Sequence, residues 1–250
     1  MLELVLCIFE VRMLRKLFYI ILAIFIPLLA VGALDYSGRF WHTEIFTSTY
    51  AVRGIDVSHY QGLINWNKVA DDNVSFVYMK ATEGTGHIDS YFSYNWEESK
   101  RVKIFRGAYH FFSMKSSGQT QGEYFISVVP KDKNSLPPAI DVEVSLSYSR
   151  VEVLREVMAM SSVLEEYYEK KPVIYMDMNI YKAFFEDSSI ANKIWIREIY
   201  IHPDFFARTN WRFWQYSDRG DVEGITGPVD LNVYRGSYED FLKEFDLNQL

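Results

Sequence analysis

The chain has 250 residues, of which 49% are hydrophobic and 24% are charged. This composition excludes a disordered chain and allows a large buried core, and the length suits one α/β barrel with a short N-terminal addition. The net charge of −7 excludes the basic surface that a phosphate backbone requires, so nucleic acid is not expected as a partner. Because the sole cysteine is Cys7, the chain cannot form an internal disulfide or a cysteine-based zinc site.

Basic residues followed by an apolar run mark the N-terminal segment. Arg12, Arg15 and Lys16 precede an uncharged apolar run of 18 residues, LFYIILAIFIPLLAVGAL, at positions 17–34. The run is longer than the ~7–15 residues of a signal-peptide core and reaches the ~17–25 residues of a membrane-spanning helix. We therefore expect an uncleaved transmembrane signal-anchor over residues 17–34, with a cleaved signal peptide as the alternative.

The order of charges around this run predicts its orientation. Basic residues ahead of a span keep the N-terminus in the cytoplasm, so residues 1–16 are expected there and the rest of the chain is expected to be exported. Residues 35–51 have the composition of a juxtamembrane linker. Met13 is a second candidate for the initiator, because Met-Leu-Arg-Lys before the apolar run makes a compact export signal.

From residue 52 to residue 250, short β-branched and aromatic runs alternate with helical stretches. The predicted strands are 53–58, 75–81, 104–112, 138–144, 172–177, 193–198, 211–216 and 229–234. The predicted helices are 65–72, 90–102, 117–129, 149–170, 179–186 and 237–245. Alternation of strands and helices predicts a parallel α/β sheet, and the number of strands indicates a TIM-like barrel. The last strands are closely spaced, so the final third is expected to be β-rich.

Acidic residues recur at the ends of the predicted strands. These are Asp56 in GIDVSHYQG, Asp141 and Glu143 in AIDVEVS, and Asp230 in VDLNVY. In a (β/α) barrel the active site lies at the C-terminal ends of the strands. These four residues are therefore the first candidates for a catalytic site.

Asp141 and Glu143 form the pair with a recognisable chemistry. Residues two apart on a strand share one face and lie about 6.5–7 Å apart along it. Two such carboxyl groups can divide the tasks of proton donor and anion that hydrolysis of a glycosidic bond requires. A solvated strand face is the alternative, but Ile140, Val142 and Val144 alternate with the acids and indicate a buried strand, where carboxylates are costly.

Five motifs in order resemble the family 25 glycoside hydrolases, the lysozymes of the Chalaropsis type. They are GIDVSHYQG, KATEG, RGAYHFF, AIDVEVS and FWQYSDRG…VDLNVY, and they extend from about Arg53 to Tyr234. The resemblance implies a flattened (β/α)5(β)3 barrel as the catalytic domain. It also implies an N-acetylmuramidase that cleaves the β-1,4 bond between N-acetylmuramic acid and N-acetylglucosamine in peptidoglycan, without a cofactor.

The resemblance also implies roles for the four acids. The match to the family's Asp-x-Glu motif implies that Glu143 is the general acid. It implies that Asp141 either orients and stabilises the substrate's acetamido group or acts more directly as an anionic stabiliser. The bond is then cleaved with net retention by participation of the acetamido group, so a protein nucleophile is not needed. Asp56 and Asp230 match two further acidic positions of the groove and are expected to support the central pair.

Other motif residues are candidates for binding the glycan. Tyr109, Tyr175, Trp214 and Gln215 are at or near predicted strand ends and are suited to stacking on sugars or hydrogen bonding to them, although each suits a plain core equally. Lys80 and Glu83 are predicted to form an ion pair or to line the groove. The histidines have no metal-ligand spacing, so no metal is expected; they are His42, His59, His87, His110 and His202.

The sequence departs from the family pattern in two places, YMDMN after the fifth predicted strand and Arg197-Glu198 in the sixth. Both departures are expected to alter the subsites without changing the catalytic pair. The alternatives are an inert glycan-binding protein on the same fold, disfavoured because all four acids are present, and a chitinase-like hydrolase. The expected setting is a monomer in the bacterial cell envelope, anchored in the membrane with its catalytic domain outside the cytoplasm.

Overall fold

The structure is a computed structural model that describes residues 2–36, 42–205 and 210–248. Its contacts divide the chain into two units, Met1–His42 and Thr43–Leu250. The first unit contains helix α1, Leu2–Tyr36. Within this helix the segment Arg12–Leu34, of 23 residues and mean hydropathy 2.7, is long and apolar enough to cross a membrane. A signal sequence near the N-terminus has the same properties, so the helix agrees with both expectations for this segment.

The second unit is a closed barrel of eight strands. A short additional strand pairs with one of these eight. The barrel strands are β1 (Arg53–Val57), β2 (Phe76–Glu83), β4 (Phe105–Phe111), β5 (Ala139–Asp141), β6 (Val173–Asp177), β7 (Lys193–Arg197), β8 (Trp211–Gly220) and β9 (Val229–Tyr234). The short β3 (His87–Ile88) forms a hairpin with β2. Neighbouring strands are parallel from β1 to β8, whereas β9 is antiparallel to both β8 and β1. The predicted barrel, β-rich in its last third, is confirmed.

Helices follow most of the strands, and three of them begin at serine caps. They are α2 (Trp66–Asp71), α3 (Phe92–Arg101), α4 (Gly118–Val128), α5 (Arg150–Tyr168), α6 (Met178–Ile180) with the π-helical turn Tyr181–Phe185, and α7 (Tyr238–Glu244). The hydroxyl oxygens of Ser117, Ser149 and Ser237 accept backbone N–H groups in the first turns of α4, α5 and α7. Such caps satisfy N–H groups that have no partner within the helix. Each predicted helix is therefore present, with bounds shifted by a few residues.

Two parts of the chain differ from the expectation. Strand β5 ends at Asp141, so Glu143 lies beyond the strand instead of within it. The second difference concerns the predicted linker, whose end folds onto the barrel. There the 3-10 helix His42–Phe46 is followed by Tyr50, whose hydroxyl is 2.9 Å from Nε2 of His202. The hydroxyl of Thr43 donates to the carbonyl of Tyr216 at 2.6 Å. The pattern of residues 35–51 does not reveal these contacts, because their partners are distant in sequence.

Aromatic side chains fill one end of the barrel. Since β9 is antiparallel, it ends at the N-terminal edge of the parallel strands, and α7 follows it there. Phe241 and Phe245 pack beneath Phe76 and Phe213, with ring centroids 5.8 Å apart for Phe76 and Phe241 and 5.4 Å apart for Phe213 and Phe245. Each buried ring of this size contributes about 1.5–3 kcal/mol through the hydrophobic effect. These rings close the barrel interior at its N-terminal end.

Replacing Gly107 by alanine is expected to destabilise the barrel by about 1–3 kcal/mol, the usual cost of overpacking. A Cβ atom at Gly107 would lie 2.3 Å from Cε1 of Tyr78, and the hydroxyl of that buried ring donates to Pro137 at 3.1 Å. Urea unfolding measures the change. As a control, Gly86→Ala meets nothing within 4 Å and should change the free energy of unfolding by less than about 0.5 kcal/mol. Equal effects of the two substitutions would contradict this account of the packing.

Candidate active site

A cavity of about 420 Å³ opens at the C-terminal ends of the parallel strands. It brings together all four acids predicted from the sequence, although they come from three separate parts of the chain. Its lining comprises Asp56, Val57, Ser58, Tyr60, Gln61, Lys80, Glu83, Tyr109, Phe111, Asp141, Glu143, Tyr175, Trp195 and Asp230. Active sites of (β/α) barrels lie at this end of the strands.

The antiparallel strand β9 places Asp230 beside Asp56. The two residues are paired across β1 and β9, because the start of an antiparallel strand meets the end of its neighbour. Nδ2 of Asn232 donates to Oδ2 of Asp56 at 2.7 Å. Oδ1 of Asn232 in turn accepts from Nε1 of Trp195 at 2.7 Å. Asn232 thus fixes one carboxyl group and one aromatic ring of the cavity wall.

Asp56 and Asp230 are neighbouring buried carboxyl groups, and the pKa of each is raised. Burial raises the pKa of Asp56 well above its usual value, and the neighbouring charge of Asp230 raises it further. Burial also raises the pKa of Asp230, although hydrogen bonds from Gln215 and from Asp56 lower it. Two buried carboxyl groups this close cannot both ionise without a large cost. Ionisation of one member of this pair therefore disfavours ionisation of the other.

Asp141 and Glu143 differ in their access to solvent. Asp141 is buried, and its Oδ1 has no hydrogen-bond partner among the described residues. Burial, followed by the charge of Glu143, raises the pKa of Asp141 well above its usual value. Glu143 reaches solvent through the cavity mouth, yet desolvation by the surrounding wall raises its pKa, partly opposed by the charge of Arg197. An accessible carboxyl group with a raised pKa is suited to donating a proton.

Tyr109, Tyr175 and Gln215, three of the predicted binding residues, are close to the acids. Tyr109 and Tyr175 line the cavity. The hydroxyl of Tyr175 donates to Oε1 of Gln215 at 2.6 Å, and Gln215 also hydrogen-bonds Asp230. Gln215 does not line the cavity and is only 2% exposed. Its position is therefore that of a support for Tyr175 and Asp230.

Trp214, the fourth predicted binding residue, is outside the cavity. Successive residues of a strand point to opposite faces, so Trp214 points outward where Gln215 points inward. It is fully buried, its Nε1 donates to the carbonyl of Glu198 at 2.7 Å, and its ring is 4.9 Å from that of His202. This placement does not suit stacking on a sugar, and we do not retain Trp214 as a binding residue.

Several lining residues were not predicted from the sequence, among them Trp195, Tyr60 and Gln61. On β7 the side chains of Ile194, Trp195 and Ile196 are all buried, so the apolar pattern of this strand did not show which of them faces the barrel interior. Lys80 and Glu83 fulfil both of the roles considered for them. Nζ of Lys80 is 2.7 Å from Oε2 of Glu83, and both side chains line the cavity.

The histidines near the site have structural partners. Nδ1 of His59 is 2.9 Å from Oδ2 of the buried Asp89. His110 lies between Thr82 and Gln121, and burial lowers its pKa to about 4. Across residues 2–36, 42–205 and 210–248, no group of three or more His, Cys, Asp or Glu residues is arranged to hold a metal ion.

The site combines paired carboxyl groups of raised pKa with aromatic rings at the mouth of a barrel. This combination is typical of a glycosidase. Residues 55–225 match the sequence profile of "Glycosyl hydrolases family 25". The chain belongs to this family, which confirms the resemblance found in the motifs.

Relatives and solved structures agree with this assignment. The chain is 37% identical over 198 residues to "Uncharacterized protein YegX" of Escherichia coli K12, covering 77% of this chain and 73% of that protein. It is 34% identical over 206 residues to "Lysozyme M1" of Streptomyces globisporus, covering 76% and 69% of the two chains. A family 25 glycosyl hydrolase from Bacillus anthracis superposes with a TM-score of 0.75 at 38% identity, over 78% of this chain and 94% of the other.

Proposed function

We propose that the chain is a lysozyme that hydrolyses the β-1,4 bond between N-acetylmuramic acid and N-acetylglucosamine in peptidoglycan. The observation that carries the proposal is the pair Asp141 and Glu143 in one cavity, one buried and one accessible, both with raised pKa values. The likeness to Lysozyme M1 supports the same activity. An inert glycan-binding protein is not favoured, because each of the four acids lines the cavity.

In this proposal Glu143 is the general acid. As the bond from C1 to the leaving oxygen breaks, the proton of Glu143 passes to that oxygen. The carbonyl oxygen of the substrate's acetamido group forms a new bond to C1 and closes a positively charged ring. Water then attacks C1, the ring opens, and Glu143 takes back a proton. Two displacements at C1 give net retention of its configuration.

Asp141 is proposed to orient the acetamido group. Its buried Oδ1 would accept the N–H of that group and turn the carbonyl oxygen towards C1. The positive charge of the cyclised intermediate would then offset the cost of holding the Asp141 carboxylate away from water. Asp56 and Asp230 support this arrangement from the opposite wall, and Tyr175 is held in place through Gln215.

We further propose that the protein acts in the bacterial cell envelope as a membrane-anchored monomer. The apolar segment Arg12–Leu34 supports an anchor, and the basic residues at its start support an exported catalytic domain. Extraction of isolated membranes with alkaline carbonate tests the anchor. An anchored chain stays in the pellet, whereas release of a shortened chain into the supernatant would favour a cleaved signal.

Product analysis tests the activity itself. The full chain in detergent is incubated with purified peptidoglycan, and the fragments are reduced with borohydride and examined by mass spectrometry. New reducing ends at N-acetylmuramic acid are expected. New ends at N-acetylglucosamine would contradict the proposed bond, and binding without cleavage would favour the inert glycan-binding protein.

Tyr60→Ala is expected to raise the KM for the polymer by about two- to tenfold, with kcat close to the wild type, as loss of one ring contact predicts. The Tyr60 ring is 81% exposed at the cavity rim and lies 4.2 Å from the His59 ring, which Asp89 holds in place. Leu63→Ala, another exposed residue close by in sequence that does not line the cavity, is the control. A fall in kcat with unchanged KM would contradict a binding role for Tyr60.

A further inference from the structure

The motif VDLNVY brings two polar side chains into the barrel, and the proposed mechanism uses only the first of them. Asp230 and Asn232 are two residues apart on β9 and therefore point to the same face of the strand. Asn232 is 1% exposed and is paired with Gly54 of β1 and with Gln215 of β8. A buried amide needs hydrogen-bond partners for its oxygen and for its nitrogen. The partners of Asn232 therefore indicate what it does.

The partner of the amide oxygen determines which way the amide points. Nε1 of Trp195 donates to Oδ1 of Asn232 at 2.7 Å. An indole N–H is a donor only, so it requires the oxygen of the amide and not the nitrogen. The Trp195 ring is itself fixed by packing, because it is 2% exposed and its centroid is 4.9 Å from that of Tyr78 and 4.8 Å from that of Tyr175. The amide of Asn232 is thereby held in one of its two orientations.

In this orientation the amide nitrogen faces Asp56. Nδ2 of Asn232 donates to Oδ2 of Asp56 at 2.7 Å, and this contact fixes the rotation of a carboxyl group that lines the cavity. Burial, followed by the charge of Asp230, raises the pKa of Asp56, whereas the hydrogen bond from Asn232 lowers it. An amide does not titrate, so Asn232 offers Asp56 a donor at every pH.

The other titratable groups around Asp56 come from five elements of the barrel. They are Asp230 on β9, Asp141 near the end of β5, Tyr109 on β4, Tyr175 on β6 and Lys80 on β2. Arg197 and Asp218 act in turn on Asp230. None of these groups hydrogen-bonds Asn232 in the part of the chain that the structure describes. A change at position 232 therefore reaches the site through Asp56 and Trp195.

We propose that Asn232 is a positioning residue of the reaction, which acts through Asp56 by presenting to it a hydrogen-bond donor whose direction Trp195 fixes. The inference rests on the proposed muramidase function, in which Asp56 supports the central pair Asp141 and Glu143. Asn232 does not line the cavity, so its loss is expected to lower kcat with little change in KM.

Asn232→Asp tests the inference, because the donor then depends on pH. Aspartate keeps the size of the side chain and the oxygen that Trp195 requires, but it donates to Asp56 only while it is protonated. Asn192→Asp is the matched control. Asn192 is also buried, donates through Nδ2 to Ser161 and to the carbonyl of Pro172 at 2.9 Å each, and is outside the cavity lining.

The readout is kcat on peptidoglycan for the full chain in detergent, divided by the wild-type value at the same pH. Asn232→Asp is expected to be close to the wild type at pH ~4 and about 10–100-fold slower at pH ~8, as loss of a hydrogen bond to a charged group predicts. Asn192→Asp is expected to have the wild-type kcat throughout. Thermal unfolding at each pH restricts the comparison to conditions in which the variants are folded.

Asn232→Ala is the second variant and introduces no charge. Because it has no donor at any pH, it is expected to be about 10–100-fold slower than the wild type over the whole range. A pH-independent ratio for Asn232→Asp, an equal fall in Asn192→Asp, or a wild-type rate for Asn232→Ala would overturn the inference and leave the muramidase function standing. Failure of the wild type to cleave peptidoglycan would overturn both.

Discussion

Glu143→Gln is expected to lower kcat by about 10²–10⁴-fold, the usual contribution of general acid catalysis. Glutamine keeps the size and polarity of the side chain but has no proton to give to the leaving oxygen. Because Glu143 is exposed to solvent at the cavity mouth, the substitution should leave the fold unchanged. Turnover of peptidoglycan, measured as release of reducing ends, is the readout.

Two controls accompany this substitution. Binding of the variant to insoluble peptidoglycan should match that of the wild type, because the lost function is proton transfer and not affinity. Glu186→Gln, at the end of the π-helical turn and outside the cavity lining, should retain full turnover. A Glu143→Gln protein with wild-type kcat would remove Glu143 from the mechanism.

Asp141→Asn is expected to lower turnover by about 10²-fold or more and at the same time to raise the melting temperature at pH 7. The loss of activity follows from the loss of the anion that orients the acetamido group and stabilises its positive charge. The gain in stability follows from burial, because the neutral amide does not need to be desolvated as a charge. Thermal unfolding at several pH values measures the second effect.

The sign of the pH dependence is determined by the raised pKa of Asp141. Between its ordinary pKa and its raised pKa, the folded state binds more protons than the unfolded state, so stability falls as pH rises through this interval. Asp141→Asn removes this loss of stability with rising pH. Its stabilising effect should therefore be present at pH 7 and disappear below the ordinary pKa of aspartate, near pH ~4.

Asp71→Asn serves as the control for this pH effect, since Asp71 is exposed at the end of α2. It should leave the melting temperature unchanged at both pH values. A melting temperature of Asp141→Asn below that of the wild type at pH 7 would contradict the account of Asp141 as a costly buried charge. Sites that lose stability to gain activity in this way are common among enzymes.

Local patterns in the sequence were sufficient for the elements and the central pair. Serines ahead of α4, α5 and α7 and the alternation around Asp141 are features of a few neighbouring residues, and such features act before any long-range contact forms. Glu143 was placed on a strand, whereas β5 ends at Asp141. Element boundaries depend on the pairing of neighbouring strands, which a local pattern does not contain.

The sequence by itself determined which residues are proposed to carry the chemistry: four acids at strand ends, in motifs whose order resembles that of the family. The tertiary structure decided how these residues meet. Asn232 reaches Asp56 across 176 positions because β9 runs antiparallel and closes the barrel. The same closure turns Trp214 outward and brings Trp195 into the wall. The sequence specifies the side chain at each position. The proximity of residues that are distant in the chain arises only when their strands pair in one register.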